Sequence, residues 1–138
     1  MTLVDSSAWI ELLRATGSRI HLALETALEE RVELATTDVV LMEVLAGAKD
    51  DAERDWLRRL LYGQRFLAVE GPADYESAAE LFRHCRRGGE TPRSLVDCLI
   101  AVVAMRSDAE LLCCDADFQV IARHATLRLA AASEPGPV

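Results

Sequence analysis

Short runs of β-forming residues alternate with longer helical patterns along the chain, and this alternation constrains the fold more than any other feature. The β-type runs predict strands at 2–4, 32–35, 66–69, 111–113 and 126–129. Helical patterns occupy 19–30, 38–47, 51–62, 73–87, 95–106 and 117–123. Because strands separated by helices usually pair in parallel, we predict an α/β/α sandwich around a central parallel sheet of four to five strands.

The length and the apolar content limit the domain organisation. A chain of 138 residues fits one domain, which we place at 1–132 and follow with a frayed tail at 133–138. Hydrophobic residues make up 51% of the chain, which is too many for a disordered protein. No apolar run approaches the roughly 20 residues that cross a membrane, and Asp5 and Glu11 interrupt the N-terminal apolar stretch. We expect a cytoplasmic protein without a membrane partner.

The formal net charge of -8 argues at first sight against a nucleic-acid partner. The charge is unevenly distributed, however. Residues 25–55 carry ten acids and three bases, whereas residues 81–106 carry five arginines and two acids. The global charge therefore does not decide which partner the protein binds.

The four cysteines show no zinc-binding spacing. Cys85, Cys98, Cys113 and Cys114 form no C-x-x-C pair and have no closely spaced histidines. In a cytosolic protein, thiols in apolar runs such as DCLIAVV and LLCCD are typical of small core residues. We therefore predict that the cysteines belong to the core.

Four carboxylates stand alone in apolar segments, and they are the most informative residues in the chain. Asp5 is the single charge in TLVDSSAWI, Glu43 in VVLMEVLAGA and Asp97 in SLVDCLIAVVAM, while Asp115 directly follows LLCC. An unpaired ionised carboxylate in such a setting costs several kcal/mol. Four such acids call for a common explanation.

The predicted topology brings these acids to one edge of the sheet. Asp5 and Asp115 end two strands, Asp97 lies in the first turn of the helix after Ser94, and Glu43 lies in the second turn of another helix. The carboxyl ends of strands and the starts of the following helices share one edge of a doubly wound sheet. Helical side chains lean toward the helix N-terminus, which brings Glu43 closer. Clustered carboxylates favour a hard divalent cation such as Mg²⁺ or Mn²⁺.

Three of the four acids also have a purely structural explanation. Asp97 forms a capping box with Ser94 on one interpretation, and Asp115 caps the helix that follows it on another. Glu43 pairs with a core arginine on a third. Asp5, at a strand end, has no equally good structural explanation, so a wholly structural origin of all four acids is disfavoured.

At these residues the sequence resembles the PIN-domain ribonucleases, specifically the VapC toxins of bacterial VapBC toxin–antitoxin modules. The resemblance spans roughly residues 2–130 and consists of four segments in a fixed order: LVDSSAWI (3–10), MEVLAG (42–47), DCLIA (97–101) and CDADF (114–118). The stretch RRGGETPRSLVDC (86–98) further resembles one subset of these toxins. Each segment alone is weak evidence for the resemblance, whereas the four segments together in this order are specific to the family.

The resemblance implies roles for individual residues. Asp5, Glu43, Asp97 and Asp115 match the acidic quartet that holds one or two Mg²⁺ or Mn²⁺ ions and carries out catalysis. Asp117 matches an auxiliary ligand, and Ser7, with Ser6 as a further candidate, matches the hydroxyl that supports the metal ligands. The family often has Thr two residues before the fourth acid, where this chain has Cys113. That departure puts one supporting hydrogen bond in doubt.

The implied activity is metal-assisted hydrolysis of RNA phosphodiester bonds by an endoribonuclease toxin. His21, His84 and His124 lie outside the four acidic segments, so general-base catalysis by histidine is not expected. The family implies a structured substrate such as tRNA, an inhibitory VapB antitoxin, and a homodimer or a toxin–antitoxin hetero-oligomer.

Arginines close to Asp97 are the candidates for RNA contact. Arg86, Arg87 and Arg93 flank the Gly88–Gly89 turn, and we expect them to contact phosphates beside the metal site. The alternative explanation is a solvated helix end, where the helix dipole favours arginine anyway.

Two other Mg²⁺-dependent α/β classes fit the sequence less well. A receiver-like signalling domain needs paired acids after the first strand and a lysine at a late strand end, but the one lysine is Lys49. A haloacid dehalogenase-type phosphatase needs D-x-D after the first strand, where this chain has Asp5-Ser6-Ser7. A binding domain that holds Mg²⁺ without catalysis stays open as the alternative function.

Overall fold

A four-stranded parallel sheet forms the centre of the molecule. The computed structural model describes residues 1–135. Its strands are β1 (Thr2–Val4), β2 (Leu34–Thr36), β3 (Arg65–Phe66) and β4 (Glu110–Leu112), in the spatial order β3-β2-β1-β4. Its helices are α1 (Ser6–Leu13), α2 (Arg19–Glu29), α3 (Asp38–Ala46), α4 (Asp51–Tyr62), α5 (Gly71–Arg87), α6 (Leu95–Arg106) and α7 (Ala116–His124), and a 3₁₀ turn spans Ala131–Ser133.

The helices cover both faces of this sheet. The connections from β1 to β2 and from β2 to β3 run in one direction, whereas the connection from β3 to β4 returns past β1. Because parallel crossovers are right-handed, the two directions place their helices on opposite faces. Accordingly α1 contacts α2 and α3, α3 contacts α4, and α5, α6 and α7 contact one another. The predicted α/β/α sandwich with a parallel sheet is confirmed.

The predicted fifth strand at 126–129 contributes only a single bridge. Leu129 pairs in parallel with Leu111, and Leu111 N donates to Arg128 O while Ala130 N donates to Leu111 O. The chain then turns into the 3₁₀ turn at Ala131, which ends the pairing after one residue. The sheet therefore has four strands, the lower of the two expected numbers.

Helix α1 is the element that the sequence pattern did not predict. It begins immediately after β1, with no turn residues between them, and it spans only eight residues. Asp5 is its N-cap, and the Asp5 carboxylate accepts a hydrogen bond of 3.0 Å from Ser7 N. A periodic pattern this short cannot be separated from a continuing apolar strand. The expectation that Asp5 has no structural explanation as good as those of the other acids is therefore wrong, because Asp5 caps α1.

The core lies between the sheet and its helices and includes most of the cysteines. Trp9 and Phe118 are its largest fully buried side chains. Cys85, Cys98 and Cys113 are buried as predicted, whereas Cys114 is exposed, so the prediction is wrong for Cys114. Successive side chains of an extended segment point to opposite sides, which separates Cys114 from the buried Cys113. Within residues 1–135, no helix combines the length and the apolar character needed to cross a membrane.

Ser133, one residue past the predicted domain boundary at 132, packs into the domain. Ser133 is buried, and its hydroxyl accepts a hydrogen bond of 2.8 Å from Cys113 N and donates one of 3.3 Å to Leu111 O. Ser133 therefore belongs to the domain and not to the predicted tail. Residues 136–138 of that tail lie outside the described residues.

We expect Ser133→Ala to destabilise the fold because it leaves the buried Cys113 N–H without an acceptor. The cost of such a group is about 1–3 kcal/mol. Urea unfolding followed by circular dichroism measures it, with Ser77→Ala on the exposed face of α5 as the matched control. An unfolding free energy for Ser133→Ala equal to that of the control would contradict this role of Ser133.

Candidate metal centre

The centre of the candidate site lies where the chain order of the sheet reverses, between β1 and β4. Val4 pairs with Leu112, and Asp5 N donates a hydrogen bond of 2.9 Å to Leu112 O. Asp5 and Asp115 thus leave neighbouring strands at the same edge. In open α/β sheets this reversal point forms the crevice where ligands bind.

Asp5 is held firmly by one oxygen and left without a partner at the other. Its carboxylate is 2% exposed, and Oδ2 accepts hydrogen bonds from both the backbone N–H and the hydroxyl of Ser7. Oδ1 is buried and accepts no hydrogen bond from the residues that the structure describes. Burial raises the pKa of Asp5 above its usual value, against the opposing effect of the Ser7 hydrogen bonds.

Glu43 lies on α3 and contacts Ser6, the residue that follows Asp5. Its Oε1 accepts a hydrogen bond of 3.2 Å from the Ser6 hydroxyl, so its partner is a serine and not the core arginine of the alternative explanation. Burial raises the pKa of Glu43, and the charges of Asp5 and Asp115 raise it further. Glu43 is therefore close enough to both aspartates to share their electrostatic environment.

Asp97 carries the strongest sign of crowding. It is 7% exposed in the first turn of α6, and Ser94 makes no side-chain cap hydrogen bond, so the alternative capping box is not formed. Burial, together with the neighbouring Asp117, Asp115 and Asp5, raises the pKa of Asp97 to about 8. A carboxyl group in this position holds its proton near neutral pH unless a cation offsets the surrounding charge.

Asp115 combines a capping role with membership of the cluster. Its Oδ1 accepts a hydrogen bond of 2.9 Å from Asp117 N and so caps α7, as one structural explanation predicted. One ligand atom from each of Asp97, Asp115 and Asp117 lies within 4.8 Å of the others. Because the Asp115 side chain is 34% exposed, the group opens toward solvent.

Asp117 differs from the other acids because its oxygens already have donors. Its Oδ2 accepts from Arg93 N at 2.9 Å and from Ser94 N at 3.0 Å, while Oδ1 lies 3.4 Å from Arg93 Nε. Burial opposes ionisation of Asp117, but the hydrogen bonds from Arg93, Asp97 and Ser94 outweigh it and lower its pKa. Asp117 thus fixes the backbone at the start of α6.

Ser7 connects the chain segments that follow β1 and β4. Its hydroxyl donates to Asp5 Oδ2 and accepts a hydrogen bond of 2.9 Å from Cys114 N. Cys113 stands where the family often has Thr, and it has no hydroxyl to donate. Its backbone N–H donates a hydrogen bond to the Ser133 hydroxyl. Ser7 therefore supports the Asp5 carboxylate without a hydroxyl at position 113.

The three candidate RNA-binding arginines lie in different places. Arg93 is beside the cluster, with Nη2 3.6 Å from Asp115 Oδ1. Arg86 lies over the Phe82 ring at 5.7 Å near the end of α5. Arg87 lines an open surface pocket with residues from the C-terminal half of α6, away from Asp97 in the first turn. Only Arg93 is brought into contact with the carboxylates.

Glu90 is an important residue that the sequence did not point to. It accepts hydrogen bonds from the Arg123 guanidinium, and His124 Nε2 lies 3.0 Å from Glu90 Oε1. These contacts tie the loop before α6 to the end of α7. The partners lie more than 30 residues apart in sequence, so no local pattern could have revealed the anchor.

The donor set fits a hard divalent cation. Every candidate ligand atom is a carboxylate oxygen, which is the ligand type that Mg²⁺ and Mn²⁺ prefer. Asp5 Oδ1 has no hydrogen-bond donor among the described residues, and the pKa of Asp97 is raised, so full ionisation of these carboxylates is unfavourable without a cation. The histidines lie elsewhere: His21 accepts from Gly17 N, and His84 packs against the edge of His124.

Comparison with known proteins gives matches along nearly the whole chain. Residues 2–124 match the PIN domain. The VapC ribonuclease Mb1587 of Mycobacterium bovis and the ribonuclease VapC11 of Mycobacterium tuberculosis are each 44% identical over 131 residues, which is 94% of this chain and 98% of the relative. The solved structure of Rickettsia felis VapBC2, bound to a DNA fragment from its promoter, matches with a TM-score of 0.73 at 18% identity, covering 94% of this chain and 96% of that chain. That structural likeness supports the fold alone.

We expect Asp97→Asn to stabilise the cation-free protein at alkaline pH. The pKa of Asp97 is raised from 3.8 to about 8 in the folded state, so ionisation there opposes folding more and more as the pH rises between these values. Removing the charge therefore raises the free energy of unfolding at pH 8, where ionisation of Asp97 opposes folding most. The gain is smaller at pH 5.

Urea unfolding in EDTA at both pH values measures this difference. Asp108→Asn is the control, since the Asp108 side chain is 96% exposed. A loss of stability in Asp97→Asn at pH 8, or a gain that is the same at both pH values, would contradict the crowding of carboxylates around Asp97.

Proposed function

The chain belongs to the PIN domain family, and on that premise we propose that it is a divalent-metal-dependent endoribonuclease toxin of the VapC type. The observation that carries the proposal is the gathering of Asp5, Glu43, Asp97 and Asp115 at the point where the sheet order reverses. Relatives that share 44% of its residues are named VapC ribonucleases. The family assignment removes the basis for the receiver-like alternative.

We infer that these four carboxylates hold one or two Mg²⁺ or Mn²⁺ ions. The unpartnered Asp5 Oδ1 and the partly exposed Asp115 are available as ligands without breaking a hydrogen bond to another side chain. Asp117 is an auxiliary member of the set, because its oxygens already accept hydrogen bonds from Arg93 and Ser94. A cation bound here offsets the charge that raises the pKa of Asp97.

The residues of the site support hydrolysis without a side-chain nucleophile. A divalent cation in such a site supplies a lowered pKa for a coordinated water and stabilisation of negative charge on the phosphoryl group. Ser7 fixes Asp5 through Oδ2, and Ser6 fixes Glu43, so both carboxylates are oriented before substrate binds. Asp115 is held by Asp117 N at the start of α7.

The RNA contacts that we propose involve Arg86, Arg87 and Arg93. These arginines lie in the segment of the chain that has more bases than acids, so they offer guanidinium groups to the phosphate backbone. Aromatic residues make up only 5% of the chain, which disfavours recognition of an extended single strand by base stacking. A structured RNA such as tRNA, recognised largely by shape and backbone, fits this composition better.

We further propose that a VapB-type antitoxin inhibits the enzyme. A cavity of about 370 Å³ is lined by apolar residues such as Trp9, Leu13 and Leu57, and its wall also carries two bases and two acids: Arg14, Lys49, Glu43 and Glu53. This combination of apolar and charged residues suits an amphipathic peptide segment. We also propose that the protein forms a homodimer or a hetero-oligomer with the antitoxin. We propose that it acts in the cytoplasm.

We expect cleavage of bulk bacterial tRNA by the purified protein to require Mg²⁺ or Mn²⁺. EDTA and Asp97→Asn both reduce cleavage to background, because each removes the cation or one of its ligands. Ser7→Ala reduces the rate by about 10–100-fold, since Asp5 loses the hydroxyl hydrogen bond that helps to orient it and keeps only the one from the backbone N–H. Gel electrophoresis of end-labelled RNA gives the rates.

Asp108→Asn, a change at an exposed site, serves as the control and keeps the full rate. Cation-dependent folding without any cleavage would favour the binding domain that holds Mg²⁺ without catalysis. Cleavage that persists in EDTA would reject the metal-dependent mechanism outright.

We expect Arg87→Ala to weaken RNA binding and to flatten its dependence on salt. Loss of one phosphate contact lowers the slope of log affinity against log salt by about 1. Fluorescence anisotropy with labelled tRNA in EDTA, repeated over a range of KCl concentrations, measures that slope. Arg128→Ala, which removes an exposed arginine paired with Asp108, is the control. An unchanged slope in Arg87→Ala would remove this residue from the RNA-binding surface.

A further inference from the structure

The Arg93 side chain contacts two carboxylates of the site, Asp115 and Asp117, and its backbone N–H donates a hydrogen bond to Asp117. We propose that Arg93 is an intramolecular counter-ion of the cluster, which pairs with Asp115 and Asp117 before a cation binds and with an RNA phosphate afterwards. The inference rests on the proposed function, and it adds a role that joins cation binding to RNA binding. It also makes Asp117 a positioning residue for Arg93.

The backbone of Arg93 is fixed by Asp117. Asp117 Oδ2 accepts hydrogen bonds from the N–H groups of Arg93 and Ser94, and Asp117 is buried. Pro92 restricts the chain on the preceding side. Farther back in the same loop, Glu90 is tied to α7 by Arg123. The guanidinium therefore stays within one side-chain length of the cluster, whichever partner it has.

The side chain of Arg93 is free to change partner. It is 77% exposed, and its contacts with the acids are long, at 3.4 Å from Nε to Asp117 Oδ1 and 3.6 Å from Nη2 to Asp115 Oδ1. Exposed ion pairs of this kind shift an equilibrium by at most about fivefold. A divalent cation at Asp115 carries twice the charge and binds its oxygens at a shorter distance, so the guanidinium yields to it.

The released guanidinium then lies beside the incoming substrate. A phosphodiester that reaches a cation at Asp97 and Asp115 also comes within reach of Arg93, because the backbone of Arg93 is pinned to the neighbouring Asp117. Arginine binds phosphate oxygens through two parallel N–H donors, which suits this second partner. One side chain thus opposes cation binding slightly and assists RNA binding.

These opposite effects distinguish a counter-ion from a residue that only supports the fold. Removing a competing cation tightens binding of Mg²⁺, whereas removing a structural support loosens the ligands and weakens it. Isothermal titration of MgCl₂ into the full chain, without RNA, gives the affinity directly. We expect Arg93→Ala to bind Mg²⁺ about two- to fivefold more tightly than the unmodified protein.

Two further variants control for charge and folding. Arg128→Ala removes a guanidinium that pairs with Asp108, so it reports the general effect of one lost charge, and we expect it to leave Mg²⁺ affinity unchanged. Arg93→Lys retains the charge, and we expect Mg²⁺ affinity close to that of the unmodified protein. With bulk bacterial tRNA as substrate, Arg93→Ala raises KM more than it lowers kcat, and Arg93→Lys restores part of the loss.

Unchanged or weaker Mg²⁺ binding by folded Arg93→Ala would overturn the inference, as would equal tightening in Arg128→Ala. If the unmodified protein binds Mg²⁺ and cleaves RNA while Arg93→Ala keeps the same Mg²⁺ affinity, only the counter-ion role is lost. If the unmodified protein binds no Mg²⁺, the cation site of the proposed function fails, and the counter-ion role fails with it.

Discussion

The parallel pairing of β1 with β4 is the contact on which the rest of the site depends. The register that sets Val4 opposite Leu112 brings the next residue, Asp5, to the same edge as Asp115. Strands joined in sequence order would not do this, since β4 reaches β1 only because the last crossover returns past two strands. The same reversal sends α1 and α6 to opposite faces, so acids from both sides converge on one crevice.

This convergence sets charge against stability. Burial and the charges of neighbouring aspartates raise the pKa values of Asp5, Glu43 and Asp97, so the folded protein carries an electrostatic cost at neutral pH. The fully buried core around Trp9 and Phe118 offsets that cost. A site that is costly without its ligand and relieved by it is a common property of functional clusters. As the proposed counter-ion, Arg93 supplies part of that relief until a cation binds.

Much of the site could be predicted from sequence because burial and charge conflict locally. Asp5, Glu43, Asp97 and Asp115 each stand alone among apolar residues, and the strand–helix alternation alone places them at one edge. The parallel pairing of the sheet follows from the same alternation. The cap of α4, where Asp50 accepts a hydrogen bond from Glu53 N, is also local, since Asp followed three residues later by Glu is a capping-box pattern.

The remainder depended on contacts between distant segments. α1 is too short for its period to show, and its absence from the prediction hid the capping role of Asp5. The sequence could not show that the Asp117 oxygens accept hydrogen bonds from the backbone of Arg93 and Ser94, because 24 and 23 residues separate them. Ser133 was assigned to a tail for the same reason, since its partners are Leu111 and Cys113.

A crystal structure of the protein soaked in Mn²⁺ tests the proposed metal centre most directly, because the anomalous signal of manganese locates the ion independently of the protein coordinates. We predict a peak about 2.1–2.2 Å from oxygens of Asp97 and Asp115, with Asp5 Oδ1 directed toward it. We also predict that the Arg93 guanidinium has left Asp115. A carboxylate cluster without an anomalous peak at saturating Mn²⁺, and with Arg93 still against Asp115, would contradict both the metal centre and the counter-ion role of Arg93.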